Sequence, residues 1–93
     1  MIKSFAEKKT ELLFRGVRVK GLDSVLQEKA LRRLRYLNAA EKIDDLRVPP
    51  SNKLEKKTGN LHAFYAIWVN KQWRIIFKWR DNAAHEVQLI DYH

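Results

Sequence analysis

Residues 72–80 read QWRIIFKWR, and their alternation is the clearest structural signal in the chain. The odd-numbered positions are all large and apolar: Trp73, Ile75, Phe77 and Trp79. The even-numbered positions between them are Arg74, Ile76 and Lys78. Because side chains alternate between the two faces of a strand, this period of two predicts a half-buried strand whose aromatic face packs on the core. Arg74 and Lys78 are then expected on the opposite, open face.

Further strand signals lie on both sides of this stretch. Residues 61–69 are rich in aromatic and β-branched side chains, and Asn70-Lys71 predicts a short hairpin connection to residues 72–80. Asp81-Asn82 predicts a second turn, which leads into a last strand over residues 85–92. A weaker strand is predicted over residues 53–58, and residues 1–4 are a candidate edge strand. The C-terminal half therefore predicts an antiparallel meander.

The N-terminal half predicts two helices. Ser4 with Glu7, and Ser24 with Gln27, each have the spacing of a capping box. The first helix is expected to run to about Phe14. The second carries an apolar stripe at spacings of four and three: Leu22, Leu26, Ala30, Leu34 and Leu37. Residues 39–46 are ambiguous and predict at most a short helical turn before Pro49-Pro50. We predict one α+β domain over residues 1–93, with the helices on one face of the sheet.

Composition narrows the classes of function. The 93 residues include 19 Lys and Arg against 11 Asp and Glu, a net charge of +8 that attracts polyanions. RNA, DNA, the ribosome and an acidic protein all fit this charge, as does a merely well-solvated surface. The absence of Cys excludes disulfides, thiol chemistry and Cys-based zinc sites, and the three His lack metal-binding spacing. No apolar run predicts a signal peptide or a membrane span, so a cytoplasmic protein without a membrane partner is expected.

The open face of the sheet is the candidate place for chemistry. Arg74 and Lys78 lie there, and a neighbouring strand would bring further polar groups beside them: Glu55, Lys56, Lys57, Asp91, Tyr92 and His93. RNA cleavage needs a base for the 2′-hydroxyl proton, cations for the charged phosphorane and an acid for the departing 5′-oxygen. Such a reaction needs no metal or other cofactor. The RNA-binding candidates are Lys53, Lys56, Lys57, Lys78 and Trp68; Trp68 either stacks on bases or is partly buried.

Several motifs in order resemble one protein family. They are MIKSF at residues 1–5, PPSNKLE at 49–55, a Thr-Gly step at 58–59, VNKQWRIIF at 69–77 and DYH at 91–93. Together they resemble the HigB branch of the RelE/ParE toxin superfamily, and within it the GraT-like sub-branch. The resemblance extends from residue 1 to residue 93. It implies the RelE fold, two helices on a small curved antiparallel sheet, and a toxin of a type II toxin–antitoxin pair that cuts mRNA in the ribosomal A site.

The resemblance also implies roles for single residues. Arg74 would hold the scissile phosphate, His93 would transfer a proton, Tyr92 would stack on or orient the nucleotide, and Asp91 would fix its neighbours. Glu55 stands where many relatives have a histidine, so its carboxylate would serve as the general base. Which of Glu55, His93 and Lys57 takes the first proton stays open.

One position departs from the family pattern. Thr58 replaces the family lysine before the glycine. Either Lys56 or Lys57 would then take over the phosphate-binding role of that lysine.

The favoured prediction is therefore a ribosome-dependent, metal-independent endoribonuclease that inhibits translation. Its expected partners are a HigA-like helix-turn-helix antitoxin, the ribosome and mRNA, with operator DNA bound only through the antitoxin complex. Two alternatives remain: a ParE-like toxin that binds DNA gyrase, and a ribosome-binding toxin that does not catalyse.

Overall fold

The computed structural model describes residues 1–59 and 63–92. It contains helices α1 (Lys8–Phe14) and α2 (Ser24–Ala39), and two 3-10 turns at Ile43–Arg47 and Pro50–Asn52. The strands are β1 (Glu55–Lys56), β2 (Tyr65–Trp68), β3 (Trp73–Arg80) and β4 (Ala83–Asp91). All neighbouring strands pair antiparallel in the order β1-β2-β3-β4. Helix α1 packs on β4, and α2 packs on β3 and β4, which confirms the predicted α+β class. Neither helix in this part of the chain is long and apolar enough to cross a membrane.

Strand β3 lies at the centre of the core, as its alternation predicts. Ile75 and Phe77 are fully buried, and Trp73 and Trp79 pack half-buried against the core. Helix α2 covers this face with four buried side chains of the predicted stripe: Leu26, Ala30, Leu34 and Leu37. The predicted helix-facing row and the predicted apolar stripe are therefore both confirmed.

The start of α1 differs from the predicted capping box. The helix begins at Lys8, and Glu7 precedes it without a side-chain bond to the backbone of the first turn. Ser4 lies outside the helix, where its hydroxyl accepts a hydrogen bond from the Glu86 N–H at 2.9 Å. The N-terminal segment thus runs beside β4, which it meets in two isolated parallel bridges rather than in a full edge strand. Pairing with an open sheet edge outcompetes the local cap because it satisfies several backbone groups at once.

The start of α2 also differs from the prediction. Asp23, not Ser24, is the N-cap, and its carboxylate accepts a hydrogen bond from the Leu26 N–H at 2.8 Å. A carboxylate gains more than a hydroxyl at this end of a helix because of the helix dipole. Gln27 therefore makes no capping box. Its Oε1 instead accepts a hydrogen bond from the Val19 N–H at 2.7 Å, which ties the preceding loop to the helix.

The strand boundaries are shifted from those predicted. Strand β1 is limited to two residues because Lys53 has a left-handed backbone (φ 46°), which ends the 3-10 turn. Strand β2 begins at Tyr65, and residues 61 and 62 of the predicted strand lie outside the described residues. Strand β4 begins at Ala83, directly after Asp81 and Asn82. Both of these turn residues have positive φ values (52° and 56°), which is typical of the tight two-residue hairpin.

Candidate active site

Arg74 of β3 lies against Trp68 of β2. The two residues are partners in the register of the sheet, and the Arg74 Cζ lies 3.7 Å from the centroid of the Trp68 ring. Trp68 faces away from the helices, because its neighbours Ile67 and Val69 are buried in the core. The prediction that Arg74 stands open on this face is wrong: the residue is only 5% exposed. The indole covers the guanidinium group, so Arg74 keeps the predicted face but lies beneath a neighbouring side chain.

The hairpin between β2 and β3 holds one end of the guanidinium. The Nη1 of Arg74 donates hydrogen bonds to the carbonyl oxygens of Asn70 at 2.5 Å and Lys71 at 3.0 Å. The hairpin is itself closed by Asn70, whose Oδ1 accepts hydrogen bonds from the N–H groups of Gln72 and Trp73, each at 2.8 Å. The Arg74 Nε is buried and has no hydrogen-bond partner in residues 1–59 and 63–92. No carboxylate in those ranges forms an ion pair with Arg74, so none of them neutralises its positive charge.

Tyr92 and Lys57 lie on the other side of Arg74. The Tyr92 ring centroid is 5.1 Å from the Arg74 Cζ, and the Lys57 Nζ donates a hydrogen bond to the Tyr92 hydroxyl at 2.9 Å. The same ammonium lies 3.4 Å from the Glu55 Oε1. The hydrogen bond to Tyr92 raises the pKa of Lys57, and the nearby Glu55 charge adds to this rise, so that together they outweigh the effect of partial burial. Lys57 is therefore held in its charged form at neutral pH.

Lys53 completes the arrangement at the Trp68 end. Its Nζ lies 4.1 Å from the centroid of the Trp68 ring. Cations and aromatic rings thus alternate along this face in the order Lys53, Trp68, Arg74, Tyr92 and Lys57, which we call the cation–aromatic row. Each ring presents its electron-rich face to a neighbouring cation.

Asn52 fixes the backbone that leads to Lys53. The residue is fully buried, its Nδ2 donates a hydrogen bond to the Leu46 carbonyl at 3.0 Å, and its Oδ1 accepts one from the Arg33 Nη1 at 2.9 Å. A buried amide with both ends bonded holds the 3-10 turns against α2. Sequence reasoning assigned no role to Asn52, although it stands in the quoted PPSNKLE motif. The available signal was a polar residue shortly after two consecutive prolines.

The other predicted site residues lie apart from the row. Lys56 belongs to the opposite face of β1, where its Nζ lies 5.8 Å from the Tyr65 ring centroid. Lys78 forms a salt bridge with Glu86 at 3.1 Å. Asp91 has the helix-facing Trp73 as its register partner, and its Oδ2 accepts a hydrogen bond from Gln72 at 3.1 Å.

The remaining predicted site residue, His93, lies outside the described residues, as does His62. The described part of the chain contains no cluster of three or more acidic or His side chains that would hold a metal ion. The structure therefore brings together six of the predicted residues: Lys53, Glu55, Lys57, Trp68, Arg74 and Tyr92.

Comparison with known proteins identifies the family. The model of the RelE-like toxin of the type II toxin–antitoxin system HigB matches residues 3–93. The chain belongs to this family of toxins. It is 43% identical over 63 residues to Toxin HigB-1 of Vibrio cholerae, a match that covers 68% of this chain and 66%, just under two thirds, of that protein. It is also 30% identical over 93 residues to Endoribonuclease HigB of Proteus vulgaris, and this match covers 100% of both chains.

Solved structures agree with the fold of this toxin. The chain resembles the YoeB-YefM complex from Staphylococcus aureus with a TM-score of 0.63 and 18% identity, covering 100% of this chain and 98% of that one. It also resembles a conserved hypothetical protein from Helicobacter pylori with a TM-score of 0.58 and 14% identity, covering 98% and 94% of the two chains. At these identities the likeness shows the fold alone. The predicted HigB-type family and RelE-like fold are both confirmed.

Proposed function

We propose that this toxin is an endoribonuclease that cuts mRNA on the ribosome and thereby inhibits translation. The activity class is supported by the full-length relative from Proteus vulgaris, which is named an endoribonuclease. The observation that carries the proposal is the cation–aromatic row. It places two cations whose positions are fixed, Arg74 and Lys57, on the same sheet face as the Glu55 carboxylate. Polyanion steering by the net charge of +8 would bring the toxin to ribosomal RNA.

The first chemical step is attack by the 2′-hydroxyl on the adjacent phosphorus. Glu55 takes the hydroxyl proton, because Lys57 is held as an ammonium group and has no lone pair to accept one. The 3.4 Å contact between Lys57 and Glu55 keeps the carboxylate oriented towards the row. Of the candidate bases in the described part of the site, Glu55 is therefore the better placed.

Charge stabilisation and departure of the leaving group complete the reaction. Arg74 and Lys57 stabilise the phosphorane, whose extra negative charge develops only during the reaction. His93 gives a proton to the departing 5′-oxygen, and Tyr92 orients the nucleotide. The products are a 2′,3′-cyclic phosphate and a new 5′-hydroxyl end. This scheme balances protons without a metal ion or another cofactor.

Lys57 is the substitute for the family lysine that Thr58 replaces. Two adjacent lysines are candidates: Lys56 ends β1 and Lys57 directly follows it, and their side chains contact different aromatic rings. Lys57 belongs to the row through Tyr92, whereas Lys56 lies over Tyr65. The change from lysine to threonine therefore moves the cation by one residue along the chain and leaves it on the reactive face.

The family also implies protein partners. Its members are toxins of type II toxin–antitoxin systems, and the Staphylococcus aureus neighbour was solved as a complex. We propose a HigA-like helix-turn-helix antitoxin as the cognate partner, with operator DNA bound only through the toxin–antitoxin complex. The toxin would act in the cytoplasm, where ribosomes and mRNA are found.

Primer extension on an mRNA translated in a purified system tests the proposal. Wild-type toxin should produce new RNA 5′ ends, seen as stops of the extended primer at codon positions, and neither Arg74→Ala nor His93→Ala should do so. Arg35→Ala is the matched control, since it also removes one positive charge but from the exposed face of α2. Intact mRNA with stalled translation would refute cleavage and indicate a ribosome-binding toxin. Intact mRNA with normal translation would direct attention to DNA gyrase.

A further inference from the structure

We infer that Trp68 is the positioning residue for Arg74, and that its ring serves the guanidinium group rather than a nucleobase. The part of this inference that concerns catalysis rests on the proposed endoribonuclease function. Its structural part, that the indole holds the guanidinium in place, stands on the contacts of the free toxin alone.

Arg74 lacks the usual means of fixing an arginine. A buried guanidinium is commonly held by a bidentate carboxylate, but none pairs with Arg74 in residues 1–59 and 63–92. The hairpin carbonyls contact the guanidinium only at its Nη1 end. A carboxylate would also neutralise the charge that a phosphate needs. An aromatic ring can restrain the guanidinium without adding a negative charge, so the arginine keeps its charge for a phosphate.

The geometry assigns this restraint to Trp68. Its ring centroid is 3.7 Å from the Arg74 Cζ, against 5.1 Å for Tyr92, so the indole makes the closer contact. Indole is also the strongest cation–π partner among the aromatic side chains. Cross-strand pairing in the sheet fixes the two backbones opposite each other, so the register brings the two side chains within reach of one another.

The ring is already engaged in the free protein. Besides Arg74, the Lys53 Nζ lies 4.1 Å from its centroid, so one indole contacts two cations. The unpartnered Nε shows that Arg74 is held without using its full hydrogen-bonding capacity. The guanidinium is therefore held by the aromatic rings and by the carbonyls that bond its Nη1.

Nuclear magnetic resonance of the isolated toxin tests the structural part. The Nε–H signal of Arg74, assigned by its loss in Arg74→Ala, should be shifted upfield by the indole ring and protected from exchange with water. In Trp68→Leu this signal should move to the position of ordinary arginines, and in Trp68→Phe it should keep most of the shift. An unchanged signal in folded Trp68→Leu would overturn the inference, whatever the toxin does to RNA.

Cleavage kinetics on ribosome-bound mRNA test the catalytic part. Trp68→Leu should lower kcat by roughly 30-fold, the size of one desolvated cation–π contact, with KM almost unchanged. In an Arg74→Lys background the same substitution should have a much smaller effect, because the two side chains act as a unit. Trp68→Phe should recover most of the rate.

Two further results complete the design. Tyr36→Leu is the matched control, since it removes a cation–π contact with Arg33 on α2, and it should leave kcat unchanged. A rise in KM that is equal in both backgrounds would mean that Trp68 stacks on a base, and would overturn the inference. Absence of cleavage by the wild type would refute the proposed function instead, and the resonance experiment would still decide the role of Trp68.

Discussion

Replacing Asn52 with alanine should destabilise the fold more than any surface change in the same loop. Asn52 is fully buried and donates its amide hydrogen to the Leu46 carbonyl at 3.0 Å, and its oxygen accepts a hydrogen bond from Arg33 at 2.9 Å. Alanine leaves the Leu46 carbonyl without that partner, at a cost of ~1–3 kcal/mol. The lost bond from the charged Arg33 adds about 1 kcal/mol, less than a fully buried charged bond, because Arg33 is half-buried and water can replace the amide oxygen. The expected loss in the free energy of unfolding is therefore ~2–4 kcal/mol.

Urea unfolding followed by tryptophan fluorescence measures this loss directly. The variant should keep the wild-type slope, because the surface exposed on unfolding is unchanged, and should shift its midpoint to lower urea. In thermal unfolding the same loss corresponds to a fall in Tm of at least ~8 °C for a domain of this size.

A neighbouring residue supplies the control. Ser51 is exposed. Its hydroxyl oxygen accepts one long hydrogen bond, from the Arg33 Nη2 at 3.3 Å. Ser51→Ala should therefore change the free energy of unfolding by no more than ~0.5 kcal/mol. If Asn52→Ala also remained within ~0.5 kcal/mol of the wild type, the buried amide would not hold the loop, and our account of how Lys53 is placed would be wrong.

Three further changes separate stability from function. Arg74→Met should abolish cleavage but lower Tm by less than ~4 °C, because relief of the desolvation cost of the buried charge offsets the lost hydrogen bonds to the hairpin carbonyls; a larger fall would mean that Arg74 holds the hairpin together. Lys57→Met should slow cleavage by at least ~10-fold, in line with the loss of one charge stabiliser, whereas Lys56→Met should change it less than about threefold; equal effects in the cleavage assay would refute the different roles assigned to the two lysines. Thr10→Val should cost ~1–2 kcal/mol in urea unfolding, because the buried Thr10 hydroxyl accepts a hydrogen bond from the Leu89 N–H at 3.1 Å; an unchanged midpoint would show that this backbone group finds another partner.

The fold was predictable where periodicity was strong. The alternation of residues 72–80 identified β3 and its buried face, because a strand that divides core from solvent must alternate. The stripe on α2 was equally informative. The predictions of two capping boxes were wrong because they rested on residue spacing alone. Ser4 is needed at the edge of β4, and Asp23 is the stronger cap beside Ser24.

The sequence predicted on which face of the sheet Arg74 lies, but not how deeply its side chain is buried. The alternation of residues along β3 placed Arg74 on the face opposite to Trp73, Phe77 and Trp79, and that placement is correct. Its burial depends on Trp68, which reaches it only through the cross-strand register, and a single strand pattern carries no information on register. The difference between Lys56 and Lys57 was also hidden, because a two-residue strand is too short to display a period.

The alternation of cations and rings explains how this site holds several positive charges at once. Arg74, Lys57 and Lys53 would repel one another if they were adjacent, and the usual remedy is a set of carboxylates between them. Here the rings of Trp68 and Tyr92 stand between the cations. An aromatic face attracts a cation through its quadrupole and carries no net charge, so it reduces the repulsion without cancelling the field. The Glu55 carboxylate lies beside the row, and it contacts Lys57 rather than Arg74. The guanidinium that we expect to meet the scissile phosphate is therefore restrained by neutral rings and backbone carbonyls, and its charge remains available to the anion.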